Sequence, residues 1–293
     1  MGSTKSFDHS VVGHYGLNRA GLHVARMAAA DATFRARRLL CGAPLRDALT
    51  RDGIVVLPNF AEAPAFAALQ QEVRAALALA EVRIPRPATS GRGFGSKRPF
   101  DGGFDRHDGA ALNRFLFLEG AELAQTRRFV ETRLAPLGAR AIGCLPKPQK
   151  YAIQELTHFR DDSDIQKVMH RDTFHPAVKL WYFIDDVDIE DGPFVYVRGS
   201  HRMTAARARW EYTRSVAASH PRATSRSGSF RVTEAELEAM GYPPEESFPV
   251  AANTVVLANV CGFHRRGDVE RDGARRVAIH ASLRPTPFVP FPY

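Results

Sequence analysis

Cysteine is scarce in this 293-residue chain: Cys41, Cys144 and Cys261 are widely spaced and form no CxxC pair. Three such residues fit reduced thiols in a cytosolic protein better than a disulfide framework. Long apolar runs are missing too, and none approaches the roughly 20 residues that a spanning helix needs. Met1-Gly2-Ser3-Thr4-Lys5 leads into polar, histidine-containing sequence and not into a positive-then-apolar secretion signal. A soluble, cytoplasmic protein with no membrane partner is expected. There is no internal repeat. At 44% hydrophobic content the chain can bury a sizeable core, as one large domain or two small ones.

The formal charge of +8 is unevenly spread. From Arg198 to Arg231 there are eight arginines against one acid, Glu211, a local excess of seven. A solvated surface segment is one reading; attraction of an anionic small molecule is the other. No zinc-finger spacing, ribonucleoprotein sequence or basic-aromatic repeat accompanies the charge, so nucleic acid is not the expected partner.

Along the chain, Ala28 to Leu40 reads as a basic helix. Ile54-Val55-Val56-Leu57, after Gly53, reads as a strand. From Ala61 to Leu79 apolar residues recur at helical spacing, with Asn59 as the candidate cap. Between Arg83 and Gly109, glycines and prolines punctuate a long polar stretch, either a flexible loop or a cover over bound substrate. Its Gly91-Arg92-Gly93-Phe94-Gly95-Ser96-Lys97 lacks the spacing of a phosphate loop. Leu112 to Leu134 reads as helical, ended by Pro136. Thereafter strands are expected over 150–159, 166–172, 178–185, 194–197, 254–260 and 275–283, with turns at Asp191-Gly192-Pro193 and Arg198-Gly199-Ser200. Short strands after a helical region suggest a β-sandwich or jelly roll flanked by helices.

Chemistry concentrates at Met169-His170-Arg171-Asp172-Thr173-Phe174-His175. In an extended segment His170 and Asp172 project from one face. Completed by a second histidine from a distant strand, they form the two-histidine, one-carboxylate triad that binds iron(II) with positions left open. Alone, a His-x-Asp pair is usually two polar residues on the protein surface. His175 alternates to the opposite face and reads as structural, as does His201. The candidate third ligand is His264, which shares a face with Val256, Ala258, Val260 and Gly262. Eleven residues on, Arg275 shares a face with Val277, Ile279 and Ala281, and Arg276 shares the opposite, more polar face with His280 and Ser282. A guanidinium among apolar neighbours needs an anion, which favours Arg275 with Arg276 as the fallback. The acids from Asp185 to Asp191 lack EF-hand spacing and read as an exposed strand end.

Taken together, these motifs resemble the phytanoyl-CoA dioxygenase family of Fe(II)/2-oxoglutarate-dependent oxygenases. They are His170-Arg171-Asp172, the block from Trp181 through Asp191-Gly192-Pro193-Phe194 to His201-Arg202, Gly262-Phe263-His264 and Arg275. The resemblance runs from about Tyr151 to Leu283, and more loosely over Asp52 to Pro58. It implies a mainly β fold with a double-stranded β-helix (jelly-roll, cupin-like) core over about 146–285, flanked by an N-terminal helical part over about 1–145 of the same domain. It implies that His170, Asp172 and His264 bind Fe(II), that Arg275 binds the distal carboxylate of 2-oxoglutarate, and that O2 is the second cosubstrate. Trp181 looks like a family tryptophan beside the cosubstrate, and Gln154 is a further candidate there. Related halogenases replace the acidic ligand with a small residue, so Asp172 argues for an oxygenase. Arg265-Arg266, directly after His264, departs from the small residues of relatives. The expected reaction is oxidation, by default hydroxylation, of an anionic small molecule lying under 86–108 and 198–231. Two other readings stay open: a cupin-like metal enzyme that does not use 2-oxoglutarate, and a non-catalytic module that binds an anionic partner.

Overall fold

Alternation of side chains decides the architecture. In the strand Val178–Phe183, the residues Val178, Leu180 and Tyr182 are buried on one side, while Lys179 and Trp181 stand half-buried on the other. The pattern recurs in Arg275–Leu283, where Val277, Ile279 and Ala281 point one way and Arg276, Ala278 and His280 the other. Such strands separate an apolar layer from a polar one.

The computed structural model describes residues 4–40, 46–86, 95–108, 110–159 and 164–293. The strands among the described residues are β1 (Ile54–Leu57), β2 (Lys97–Phe100), β3 (Gly103–His107), β4 (Ala111–Phe117), β5 (Tyr151–His158), β6 (Val178–Phe183), β7 (Phe194–Tyr196), β8 (Glu246–Phe248), β9 (Thr254–Asn259), β10 (His264–Arg266) and β11 (Arg275–Leu283). The major sheet runs β1-β9-β6-β11-β5-β4-β3-β2 and the minor one β10-β7-β8, antiparallel throughout. This is a double-stranded β-helix. Helices Ala63–Arg83 and Ala135–Ile142 cover the outer face of the major sheet, where Val73, Leu134, Ile153, Leu180 and Leu257 form the main core. Between the sheets lies a smaller cluster that includes Phe183, Tyr196, Val256 and Ala278. Strand β9 is buried on both faces because it serves both layers: Val255 and Leu257 outward, Val256 and Ala258 inward. Gly262 has to be glycine, since a Cβ there would lie 2.1 Å from the Tyr196 hydroxyl oxygen.

Several local expectations need correction. Residues 112–134 do not begin as a helix: Ala111–Phe117 is a strand, and helical structure starts only at Ala121. Leu112, Leu116 and Phe115 satisfy either period in so short a window, and pairing with β3 and β5 settles the choice. Nor does Pro136 end the helical run. A π-turn over Val130–Leu134 precedes it, and Pro136 occupies the first turn of Ala135–Ile142, where its missing N–H costs nothing. Residues 166–172 form no strand but an irregular segment, turned by Asp164, whose His170 bridges singly to His264 and Arg231. The N-terminal part is not purely helical, because β1 to β4 lie within it and build half of the major sheet. The 86–108 stretch contains the β2–β3 hairpin; Pro87 to Phe94, including Arg92, lie outside the described residues, as do Cys41 and Gly109.

Asn59 caps nothing: it adopts a left-handed φ of 51°, and the helix begins after Glu62. Asn253, at φ 62°, has the stronger local role. Its Oδ1 accepts from the Ala61 N–H and from the Tyr182 hydroxyl, both at 2.8 Å, and its Nδ2 donates to the Ala61 carbonyl at 2.8 Å. Asn253→Ala is expected to cost about 2 kcal/mol, from lost hydrogen bonds and a conformation alanine tolerates poorly. Thermal melting should fall by about 5 °C, with metal binding unchanged.

Candidate metal centre and its cavity

His170 and His264 meet where the irregular segment crosses the start of β10. The two residues exchange backbone hydrogen bonds, His170 N–H to His264 O at 3.0 Å and the reverse at 2.8 Å. Asp172 is held two residues on, its N–H donating to Val260 O at 2.9 Å. The backbone thus carries the i, i+2 alternation expected of a strand, although only isolated bridges, to His264 and Arg231, are made.

Each imidazole is oriented through Nδ1, which lies 2.8 Å from the Val168 carbonyl in His170 and 3.0 Å from the Gly262 carbonyl in His264. A carbonyl accepts only, so both Nδ1 atoms carry the proton and both Nε2 lone pairs are free. The Nε2 atoms lie 3.7 and 3.8 Å from the Asp172 carboxylate oxygens. One donor atom from each of the three residues lies within 4.8 Å of the others, and this is the one such group among the described residues. His264 Nε2 is buried without a hydrogen-bond partner. An orphaned buried acceptor facing a second imidazole and a carboxylate is what a divalent cation satisfies.

Electrostatics prepares the same outcome. Burial, reinforced by the neighbouring imidazole, pushes His170 down to about 3. Burial likewise brings His264 to about 4, with Asp172 opposing. Burial works to raise the Asp172 carboxyl, yet Lys179 and the two histidines hold it well below the usual range. At neutral pH the set is two neutral imidazoles and one carboxylate, so no ligand proton has to leave before a metal binds. Lys179 Nζ lies 2.7 Å from Asp172 Oδ2, Arg284 Nη2 lies 3.8 Å from it, and Lys5 Nζ donates to the Asp172 carbonyl at 2.8 Å.

The triad opens into a cavity of about 320 Å³. One wall is aromatic: His280 stacks on Trp181 at 5.4 Å between centroids, Trp181 meets Phe194 at 5.0 Å, and Phe194 meets His264 at 5.5 Å. Gln154 lines it too, its Nε2 donating to Asn113 Oδ1 at 2.6 Å.

Arg276 lines this cavity and Arg275 does not. Arg275 is half-exposed and pairs with Glu155, which also binds Arg86 at 2.6 Å. The preference for Arg275 mistook the face. Its apolar companions Val277 and Ile279 pack towards the helices, so the more polar face is the one that looks inward. Arg276 donates to the Gly192 carbonyl. Burial and nearby Arg266 lower it to about 9, with Asp191 opposing. That is the environment of a cation suited to a bound anion. Gly192 has φ 66°, and a Cβ there would lie 2.5 Å from Val269, so the Asp191-Gly192-Pro193 turn delivers this acceptor only as glycine.

The arginine-rich 198–231 segment lines none of the cavity. Its centre is the helix Ala205–Ser219, and three of its eight arginines are held in ion pairs. Arg207 and Arg171 share buried Glu211, Arg198 pairs with Glu246, and Arg214 pairs with Glu236. Of 86–108, the described Gly95, Arg106 and Asp108 do reach the cavity. His175, buried against the Pro176 carbonyl, and half-buried His201, against the Thr50 carbonyl, lie outside the site. Sequence reasoning missed Lys179, Asn113, His280 and Arg284. The first and third were findable by alternation from Trp181 and Arg276; Asn113 was hidden in a segment read as helix.

The sequence profile of the phytanoyl-CoA dioxygenase family (PhyH) matches residues 49–276. No curated protein sequence matches the chain. Among solved structures, the chain is similar to the epimerase SnoN in complex with Fe3+, alpha ketoglutarate and nogalamycin RO. Identity is 18% and the TM-score 0.48, over 82% of this chain and 85% of that one. It is also similar to EctD from S. alaskensis with 2-oxoglutarate and 5-hydroxyectoine, at 15% identity and TM-score 0.45, over 82% of this chain and 77% of that one. HygX from Streptomyces hygroscopicus, with nickel and 2-oxoglutarate bound, aligns at 17% identity and TM-score 0.42, over 83% and 88% respectively.

Proposed function

The chain belongs to the phytanoyl-CoA dioxygenase family, and on that premise we propose that it oxidises a C–H bond of a small anionic molecule, by default to the alcohol, while converting 2-oxoglutarate to succinate and CO2. The observation that carries the reading is the triad: two imidazoles fixed through Nδ1, with Nε2 directed at one carboxylate. His170, Asp172 and His264 would hold Fe(II). When bound, Fe(II) with 2-oxoglutarate and O2 supplies the oxidising power that no side chain has.

The remaining work falls to this chain's own residues. Arg276, on the inward face of β11, would grip the far carboxylate of 2-oxoglutarate. Trp181, His280 and Phe194 form the aromatic wall against which the cosubstrate and the reacting carbon would lie. Gln154 and Asn113 hold each other and present amide groups to the same space. The Trp181, Phe183 and Phe194 side chains on the cavity wall would help keep bulk water from the reacting atoms, which favours oxidation of the held substrate. A single functional unit in the cytoplasm is part of the same proposal.

The test is anaerobic titration of the apo-protein with Fe(II) and 2-oxoglutarate. A weak visible metal-to-ligand charge-transfer band is expected, followed by succinate release once O2 is admitted. Iron bound without the band would favour a metal enzyme that does not use 2-oxoglutarate. No iron bound at all would favour an anion-binding module.

A further inference from the structure

The cavity's cations divide into two kinds. Arg265 is neutralised by Glu245 at 2.5 Å and by Asp268, Arg266 by Asp164 at 2.5 Å, and Arg106 by Asp108 at 3.3 Å. Lys179 and Arg284 are different. Among the described residues, Asp172 is the one carboxylate within ion-pair distance of either, and Asp172 is a member of the triad. A divalent ion at the triad takes up that carboxylate's charge. Lys179 and Arg284 would then be left as two positive groups on the cavity wall, beside a further positive ion. Such an arrangement is costly unless an anion completes it.

The cosubstrate is poorly placed to be that anion if Arg276 holds it. In the register of the sheet Lys179 lies opposite Ser282, six positions beyond Arg276 on β11. That is roughly 20 Å of strand at about 3.3 Å per residue. A five-carbon dicarboxylate gripped by Arg276 would have only its other carboxylate to offer, and that one would be directed at the metal, leaving none for Arg284 at the mouth. The Lys179–Arg284 end is also the more open one, with the Arg284 side chain 43% exposed and Lys179 24% exposed.

We propose that Lys179 and Arg284 form an oxyanion subsite that binds a carboxylate or phosphate group of the substrate, at the opposite end of the cavity from Arg276. The inference rests on the oxygenase reading above and sharpens it. The substrate enters with its charged group towards Arg284, the lysine ammonium acts as a point charge, and the guanidinium supplies paired donors. The uncharged part is thereby aimed along the Trp181 wall past the triad. This end of the cavity, and not the 198–231 arginines, selects for an anion.

Calorimetric titration of the anaerobic Fe(II)–2-oxoglutarate complex with phenyl phosphate, benzoate and neutral benzyl alcohol tests the subsite. Benzyl alcohol should bind weakly or not at all, and the tighter of the two anions identifies the preferred oxyanion. Lys179→Met and Arg284→Gln should each weaken the preferred anion about ten-fold, the scale of a lost charge-assisted hydrogen bond. Lys179→Arg should restore most of the loss, and 2-oxoglutarate affinity should stay within about three-fold in each variant. Because Lys179 touches Asp172, the Fe(II) affinity of every variant is titrated separately; Arg284→Gln, at the mouth, carries the test if Lys179→Met disturbs the metal site. Equal anion binding in wild type and variants overturns the proposal. So does loss of 2-oxoglutarate binding in Lys179→Met, which would make Lys179 the cosubstrate anchor. Absence of the charge-transfer band in wild type, with anion binding still dependent on Lys179 and Arg284, would sink the oxygenase reading and leave the oxyanion subsite standing.

Discussion

Replacing His264 by alanine is expected to abolish succinate formation and to weaken Fe(II) binding by at least about 100-fold, the upper end of what disturbing even a ligand's outer partner costs. The physical expectation goes further than loss of activity. In the apo-protein His264 Nε2 is a buried acceptor without a partner, and the Nδ1 contact to Gly262 is local. Removing the ring takes away an unsatisfied polar atom as well as some packing against Phe194 and His170. The two effects oppose each other, so the melting temperature of the metal-free variant should stay close to that of the metal-free wild type. What disappears is the stabilisation by iron, which at 100 times the dissociation constant amounts to about 2.7 kcal/mol in the wild type. Melting curves with and without Fe(II), alongside the visible band, separate the two cases. A variant that melts much earlier without metal would mean that His264 is a packing residue first. A variant that keeps the band would remove His264 from the ligand set.

The legibility of this site differs residue by residue, for a physical reason. His170, Asp172 and His264 are visible because a metal triad needs particular residue types, and alternation alone predicts which pair shares a face. The same logic failed one strand later. Arg275 and Arg276 are adjacent, and period two says only that they face opposite ways. Which face is interior depends on what covers the sheet, and apolar neighbours mark the helix-covered side as readily as a cavity wall. The fold behaved likewise. Strands β6 and β9 are readable as short runs rich in β-branched or aromatic residues, and β5 and β11 by the alternation of Tyr151 with Ile153 and of Val277, Ile279 and Ala281. Strand β4 is not, since Ala111–Phe117 carries Asn113 and Arg114 in its middle. Arg114 is fully buried there, satisfied by Asp105 at 2.9 Å and Glu81 at 2.8 Å. No local pattern announces a buried arginine whose partners lie on another strand and a distant helix. The arginine-rich segment misled for a related reason: its charge is visible in sequence, while Glu246 and Glu236, which pair with Arg198 and Arg214, come from elsewhere.

Arg276→Met should raise the apparent KM for 2-oxoglutarate by about 100-fold, equivalent to about 2.7 kcal/mol, while Arg275→Met leaves it within about two-fold. The contrast follows from what each guanidinium already touches. Arg275 is half in solvent and shares Glu155 with Arg86, so its removal leaves Glu155 paired and costs less than about 1 kcal/mol of stability. Arg276 lies inside the cavity, with a carbonyl for a partner and its charge destabilised by burial. A bound carboxylate satisfies that charge, and methionine of similar length cannot. Removing a poorly compensated buried cation also relieves the apo-protein, so Arg276→Met should melt no earlier than wild type in the absence of ligand. A lower affinity for 2-oxoglutarate together with undiminished stability is the signature of a binding residue held at a cost to the fold. The reverse pattern, with Arg275→Met crippling 2-oxoglutarate binding, would require β11 to present its other face to the cosubstrate. It would place the anion on the helix-covered side of the sheet, away from the cavity that His264 lines.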